Sequence, residues 1–175
     1  IVMAAPEPKP DWFIVDRYLA AAENIGCSAV VAYNKLDRQT STAQPLAEYR
    51  NCGYPVIKCS AKTRRNLDTL TSALAGLNSI IVGQSGVGKS TVTTNLAMAL
   101  SQQGYKVGIL DGDIYGPSLP KILNLNSKPD VQKNKKIVPL KYKNIEVMSI
   151  GFLIDSKKPL VWRGPMLQSA IIQLI

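Results

Sequence analysis

The chain has 175 residues, 46% of them hydrophobic and 19% charged, and a formal net charge of +9 at pH 7 with no histidine. That length can bury one good core and is short for two, so one compact domain is expected. No apolar run reaches the roughly 18 to 20 residues of a spanning helix, and Ile1-Val2-Met3-Ala4-Ala5-Pro6 lacks the charged flank and cleavage pattern of a signal peptide. The expectation is a cytoplasmic protein without a membrane partner.

Strands and helices alternate along the chain. Residues 1–5 read as a strand that stops at Pro6, Pro8 and Pro10, after which Asp11 can cap a helix to about residue 24 with Phe13, Ile14, Tyr18 and Leu19 on its buried side. A second strand is expected over 28–33, a helix over 45–52, a strand over 54–59, and a helix over 66–77 whose Leu67, Leu70, Leu74 and Leu77 form one stripe. Residues 78–82 read as a short buried strand, and residues 90–103 as a helix with Val92, Leu96, Ala97 and Leu100 near helical spacing and Gly104 as its C-cap. Further strands are expected over 106–110 and 145–150, a helix from 165, and loop with a short hairpin over 117–142. Such alternation implies an α/β fold of three layers, a mostly parallel sheet with helices on both faces, whose ligands bind beyond the strands' carboxyl ends.

Between the strand over 78–82 and the following helix stands Gly83-Gln84-Ser85-Gly86-Val87-Gly88-Lys89-Ser90-Thr91, which satisfies GxxxxGK[ST] in the strand-to-helix context that motif requires. Glycines let successive backbone N–H groups curl around phosphate oxygens, Lys89 brings a point charge to the outer phosphates, and Ser90 offers a hydroxyl to Mg²⁺. The helix that begins there adds its positive dipole end. A glycine-rich turn without a ligand is the bland rival, and the context on both sides speaks against it.

Two further boxes concern the base. Asn34-Lys35-Leu36-Asp37 follows a strand directly, and the Asp37 carboxylate can accept from the N1–H and exocyclic amine of guanine, a pairing adenine does not offer. Ser60-Ala61-Lys62 ends the next strand, where a backbone N–H can meet the guanine O6 and Lys62 can pack by the base. A buried acceptor left unpaired by the wrong base is a strong discriminator.

The order of these boxes is unusual, because the guanine boxes precede the P-loop. Residues 1 to about 90 resemble the circularly permuted GTPase domain of the RsgA/YjeQ family, which acts in small ribosomal subunit maturation. The resemblance is carried by Asp16-Arg17-Tyr18-Leu19, Ala21-Ala22-Glu23, Asn34-Lys35-Leu36-Asp37, Gly53-Tyr54, Ser60-Ala61-Lys62-Thr63 and Gly83 to Ser90. It implies GTP with Mg²⁺ as ligands and the small ribosomal subunit or RNA as partner. The switch threonine, DTPG box, Cys/His zinc segment and leading OB domain of that family have no counterpart in this sequence.

From Gly86 onward the wording is similar to another P-loop group, the Mrp/ApbC iron–sulfur carrier ATPases, relatives of MinD. Gly86-Val87-Gly88-Lys89-Ser90-Thr91, Thr94-Asn95-Leu96-Ala97, the run from Gly104 to Ser118 and Trp162-Arg163-Gly164-Pro165-Met166 carry it. By position, this resemblance makes Asp111 a Mg²⁺-shell residue and Asp113 the one that positions water, with a capped turn as the bland rival. It also implies ATP as the alternative nucleotide and a homodimer. That family's signature P-loop lysine falls on Gln84 here, and its CxxC pair is not matched by Cys27, Cys52 and Cys59, so cluster carriage is not expected. The three cysteines read as buried thiols.

The two resemblances meet where both families share GVGKS, so the chain reads as a hybrid joined at the P-loop and forming a single P-loop NTPase-like domain over 1–175. The leading expectation is a GTP-binding P-loop NTPase of RsgA type with weak or absent hydrolysis, because the binding parts are complete and the hydrolytic parts are not. The alternative is an ATP-binding iron–sulfur carrier or assembly ATPase. A third reading, a basic RNA-associated module, rests on seven lysines between Lys121 and Lys143 opposed only by Asp130.

Overall fold

The computed structural model describes residues 1–38, 45–113, 116–132 and 137–153. The chain divides into two compact units, Ile1–Ala99 and Leu100–Ile175.

The first unit is built on four parallel strands, β1 (Val2–Ala4), β2 (Val31–Tyr33), β3 (Val56–Lys58) and β4 (Val82–Gly83), in the order β3-β2-β1-β4. Its helices are α1 (Trp12–Asn24), α2 (Pro45–Asn51), α3 (Leu67–Leu74) and α4 (Lys89–Gln102). Successive strand side chains point to opposite faces, and here both faces are covered. Met3, Ala5 and Ala32 pack with Leu67, Leu70 and Leu74 of α3 and with Val92 and Leu96 of α4. Val2, Ala4, Val31 and Tyr33 pack on the other side with Val15 and Leu19 of α1 and Leu46 and Tyr49 of α2. The three layers expected from the alternation are therefore present.

Three details differ from the pattern in the sequence. On α1 the buried stripe is Trp12, Val15 and Leu19, while Phe13 is 69% exposed and Tyr18 also faces out. The ring of Trp12 decides the rotation, stacking on Tyr33 with centroids 6.3 Å apart and meeting Tyr49 at 5.9 Å. Phe13 is covered instead by the Arg17 guanidinium, 5.9 Å from its ring centroid. On α3 the stripe stops at Leu74, because the helix ends there and Gly76 turns the chain at φ +75°, which leaves Leu77 exposed. The P-loop strand covers Val82–Gly83 rather than 78–82, with Ile80 exposed, since β1 offers it only the Val2↔Val82 and Met3↔Gly83 pairings.

Asp11 caps α1, its carboxylate accepting from the Ile14 N–H at 3.3 Å. At the far end of α4 the Tyr105 N–H donates to Leu100 O at 3.2 Å and Gly104 takes φ +90°, the terminating turn expected of that glycine. Leu70 has no exposed surface and lies in the cluster between the sheet and α3. Leu70→Ala is expected to cost the first unit about 3 kcal/mol through lost burial and a residual cavity. A urea midpoint that falls at unchanged slope is the measurement.

The second unit holds β5 (Val107–Asp111), α5 (Leu119–Leu123), β6 (Leu140–Tyr142) and β7 (Ile145–Ser149), with strand order β5-β7-β6. β5 runs parallel to β7, and β6 and β7 form an antiparallel hairpin through Lys143-Asn144. Ile109, Leu119, Leu123, Ile145, Val147 and Ile150 are buried. The strands thus fall into two sheets, one wholly parallel and one mixed. Within 117–142, expected as loop and hairpin, the helix α5 is new: Leu119 and Leu123, four residues apart, give it a buried side. The helix expected from Pro165 and the Trp162 to Met166 wording lie outside the described residues. No described helix is long and apolar enough to cross a membrane.

Candidate functional site

The P-loop leaves β4 at Gly83, whose φ is +146° and whose Cβ, were it present, would stand 2.3 Å from Met3 O on the neighbouring strand. Gly88 closes the loop at φ +94°, where a Cβ would come within 2.7 Å of the Asn34 amide nitrogen. Only glycine fits either place. Between them the loop backbone curls into a cradle ending at the N-terminus of α4, which begins at Lys89 with Ser90 and Thr91 in its first turn. Lys89 Nζ donates to Gly83 O at 3.0 Å and to Gln84 O at 3.1 Å, so its charge lies across the mouth of the loop.

The base boxes converge on the same edge. Asn34, 2% exposed at the end of β2, donates from Nδ2 to Val87 O at 3.0 Å and accepts on Oδ1 from the Ala61 N–H at 3.0 Å. One side chain therefore joins NKLD, SAK and the P-loop. Lys35 Nζ donates to Glu7 O at 2.6 Å and to Gly86 O at 2.8 Å. Asp37 stands in the short 3-10 turn Leu36–Arg38, with Oδ1 accepting from the buried Ser60 hydroxyl at 2.6 Å. The same hydroxyl accepts from the Thr63 N–H at 3.2 Å while donating its own proton toward Asp37.

The Asp37 carboxyl titrates below its ordinary range, chiefly through the Ser60 hydroxyl, with help from its own backbone N–H and from Lys62 and Arg38. A depressed folded pKa means that the ionised form persists as pH falls past the usual carboxylate range and is lost only below it. Ser60→Ala is expected to bring the Asp37 pKa back up toward its ordinary value, moving the acid limb of any nucleotide binding that needs that carboxylate toward higher pH. A pH series of nucleotide affinities checks it.

Asn34, Asp37, Ser60 and Ala61 are thus brought together with the loop from Gly83 to Gly88, and Lys62 is exposed beside them. Asn34 and Lys35 are both engaged by protein partners, holding the boxes in place. Asp111 and Asp113 belong to the second unit, whereas Lys89 and Ser90 belong to the first. Asp111 Oδ1 accepts from the Asp113 N–H at 3.2 Å, and its Oδ2 accepts from the Leu119 N–H at 3.2 Å and the Ser149 hydroxyl at 3.1 Å. Asp113 Oδ1 accepts from the Gly116 N–H at 3.2 Å. The two carboxylates shape a capped turn that ties the end of β5 to α5 and β7.

Glu7 and Ser149 enter these networks without having been singled out by motif. The signal for Glu7 was its position, directly after the carboxyl end of β1, where an α/β sheet gathers its ligand loops. Of the cysteines expected to be buried, Cys27 and Cys52 are exposed at the ends of their helices, and only Cys59 is buried, its thiol pushed up to about 11 by burial. Among the described residues no group of three or more His, Cys, Asp or Glu side chains could hold a metal ion.

Residues 1–109 match the family model described as RsgA GTPase, and residues 76–175 match the ParA model, described as NUBPL iron-transfer P-loop NTPase. The chain belongs to both families. Their matches overlap over 76–109, a span that contains the P-loop, as a hybrid joined at a shared loop requires. An iron–sulfur protein required for NADH dehydrogenase from Arabidopsis thaliana is 44% identical over 58% of this chain and 34% of that protein. An iron–sulfur cluster carrier protein from Haemophilus influenzae is 47% identical over 59% of this chain and 29% of that protein. The iron–sulfur cluster transfer protein NUBPL of Mus musculus is 46% identical over 58% and 34%. The chain therefore spans about a third of the length of the curated relatives it matches. Among solved structures, YjeQ from Thermotoga maritima is 30% identical over 54% of this chain and 37% of that one, with a TM-score of 0.45.

Proposed function

We propose that the chain is a nucleotide-binding P-loop NTPase module of the iron–sulfur carrier line which reads guanine through its RsgA-like half, the two halves acting as one P-loop NTPase-like domain over 1–175. The relatives named above favour the carrier alternative over ribosome maturation, which led the expectations from sequence. The base choice rests on one observation: Asp37, accepting from the Ser60 hydroxyl, stands next to the box of Ala61, on the edge where Asn34 ties both boxes to the phosphate loop.

The GxxxxGKS loop fits a nucleoside triphosphate, its glycines at 83 and 88 letting the backbone fold tightly against Met3 and Asn34 into the strand-to-helix turn that the motif requires. Backbone N–H groups and the start of α4 take the phosphates, and Lys89 neutralises their outer charge. For Mg²⁺ the fitting ligand in the first unit is the Ser90 hydroxyl, together with phosphate oxygens and water. The ion would neutralise charge on the phosphates. Without a described carboxylate committed to the attacking water, binding outruns hydrolysis.

Titrating the purified chain with GTP and with ATP tests the reading. Tighter binding of GTP supports it, and equal affinities overturn the guanine arm. Anaerobic reconstitution with ferrous iron and sulfide addresses the carrier arm: bound iron and sulfide in fixed ratio support cluster carriage, and a colourless protein overturns it.

A further inference from the structure

The segment between β1 and α1 carries three prolines, Pro6, Pro8 and Pro10, and passes directly over the P-loop. Four contacts fasten it. The carbonyl of Glu7 accepts from Lys35 Nζ, which also donates to Gly86 O. The Glu7 carboxylate pairs with Arg38 at 3.0 Å. Gln84 Oε1 accepts from the Asp11 N–H at 3.2 Å, at the cap of α1. A Cβ built on Gly86 would lie 3.3 Å from Pro8 Cδ, so the strap rests on the loop itself.

These contacts have a pattern. Lys35 and Arg38 flank Asp37, while Gln84 and Gly86 lie in the P-loop, and the strap touches all four. Lys35 takes φ +62°, a left-handed conformation that costs a lysine free energy and persists only where surrounding contacts hold it. Proline restricts the strap before it folds, so little entropy opposes its seating.

We propose that residues 6–11 form a strap coupling base choice to the phosphate loop, with Glu7 and Gln84 as its positioning residues; this rests on the guanine reading above. Through the strap, the turn carrying Asp37 takes its position from the P-loop. A lysine at position 84 has donors and no acceptor, so it cannot receive the Asp11 N–H. A lysine there, as in the carriers, therefore removes the fastening between the P-loop and the cap of α1.

The test is the ratio of ATP to GTP dissociation constants in the wild type and in Gln84→Ala, Gln84→Lys, Gln84→Glu and Glu7→Gln. A purely local loss at Gln84 weakens both nucleotides equally and leaves the ratio alone. Loss of the strap lowers it, by about fivefold for Gln84→Ala and Gln84→Lys, the small end of typical intersite coupling. Gln84→Glu keeps an acceptor of the same length, so the ratio returns even though added negative charge weakens both nucleotides. Glu7→Gln, an exposed change that leaves the fold intact, lowers the ratio about twofold, as befits an exposed ion pair. A wild-type ratio near one overturns the guanine reading and the strap together. A clear wild-type preference for GTP that Gln84→Ala and Glu7→Gln leave unchanged overturns the strap alone.

Discussion

Asp37→Ala is expected to weaken GTP binding by about a hundredfold or more while leaving ATP affinity within a few-fold, erasing the distinction between the two. The carboxylate is exposed and accepts from Ser60 on Oδ1, which leaves acceptor capacity on a solvent-accessible group beside the box that holds the Ala61 N–H. Two charge-assisted hydrogen bonds from the guanine N1–H and exocyclic amine contribute roughly 1.5 to 3 kcal/mol each, and alanine removes both. Adenine makes neither, so its affinity reports only the phosphate contacts. Calorimetric titration of the variant with both nucleotides measures the effect. Unchanged GTP affinity would remove Asp37 from the base site and leave the P-loop as the only nucleotide contact.

Lys89→Ala acts on the other half of the ligand and is expected to lower GTP and ATP affinity alike, by about ten- to a hundredfold. The ammonium spans Gly83 O and Gln84 O within the loop whose motif assigns this lysine to the outer phosphates. Lys89→Arg is not a conservative rescue, because a planar guanidinium cannot enter a cradle sized for a point charge. Ligand-induced stabilisation is the convenient measurement. At a nucleotide concentration a hundred times the dissociation constant, the wild type gains about 2.7 kcal/mol, and the variant should gain about 0.4 to 1.4 kcal/mol at the same concentration. The midpoint without nucleotide should hardly move, since Lys89 is only partly buried and loses two hydrogen bonds to carbonyls that water can reach. Full retention of the shift would overturn the phosphate role.

Both variants belong to the first unit, whereas Asp111 belongs to the second. Both its oxygens accept from the protein, joining the end of β5 to the start of α5 and, through Ser149, to the end of β7. The resemblance pointed to metal and water at Asp111 and Asp113; the hydrogen bonds described here give both residues a role in shaping the turn.

The strand–helix alternation, the P-loop and the two base boxes were legible in the sequence because each is written in local spacing. GxxxxGK[ST] needs its glycines at fixed offsets, and NKxD and SAK occupy strand ends whatever the rest of the chain does. The hybrid character was legible for the same reason, since the wording of one family gives way to that of another within a single loop. What spacing does not carry is the partner of each side chain. Phe13 and Trp12 are equally apolar on a helix wheel, and only the stacking surface of Tyr33 and Tyr49 turned Trp12 inward. Asn34 read as a base contact, and its buried amide is also the joint between its own loop and two others, 27 and 53 residues away along the chain. Glu7 belongs to no motif and acquired its place because β1 lies between β2 and β4, bringing the proline segment over the P-loop. Local periodicity and motif spacing determined the elements and the chemistry of this protein. Tertiary structure alone decided which residues support that chemistry, because hydrogen-bond partners and packing surfaces are set by strand order rather than by distance along the chain.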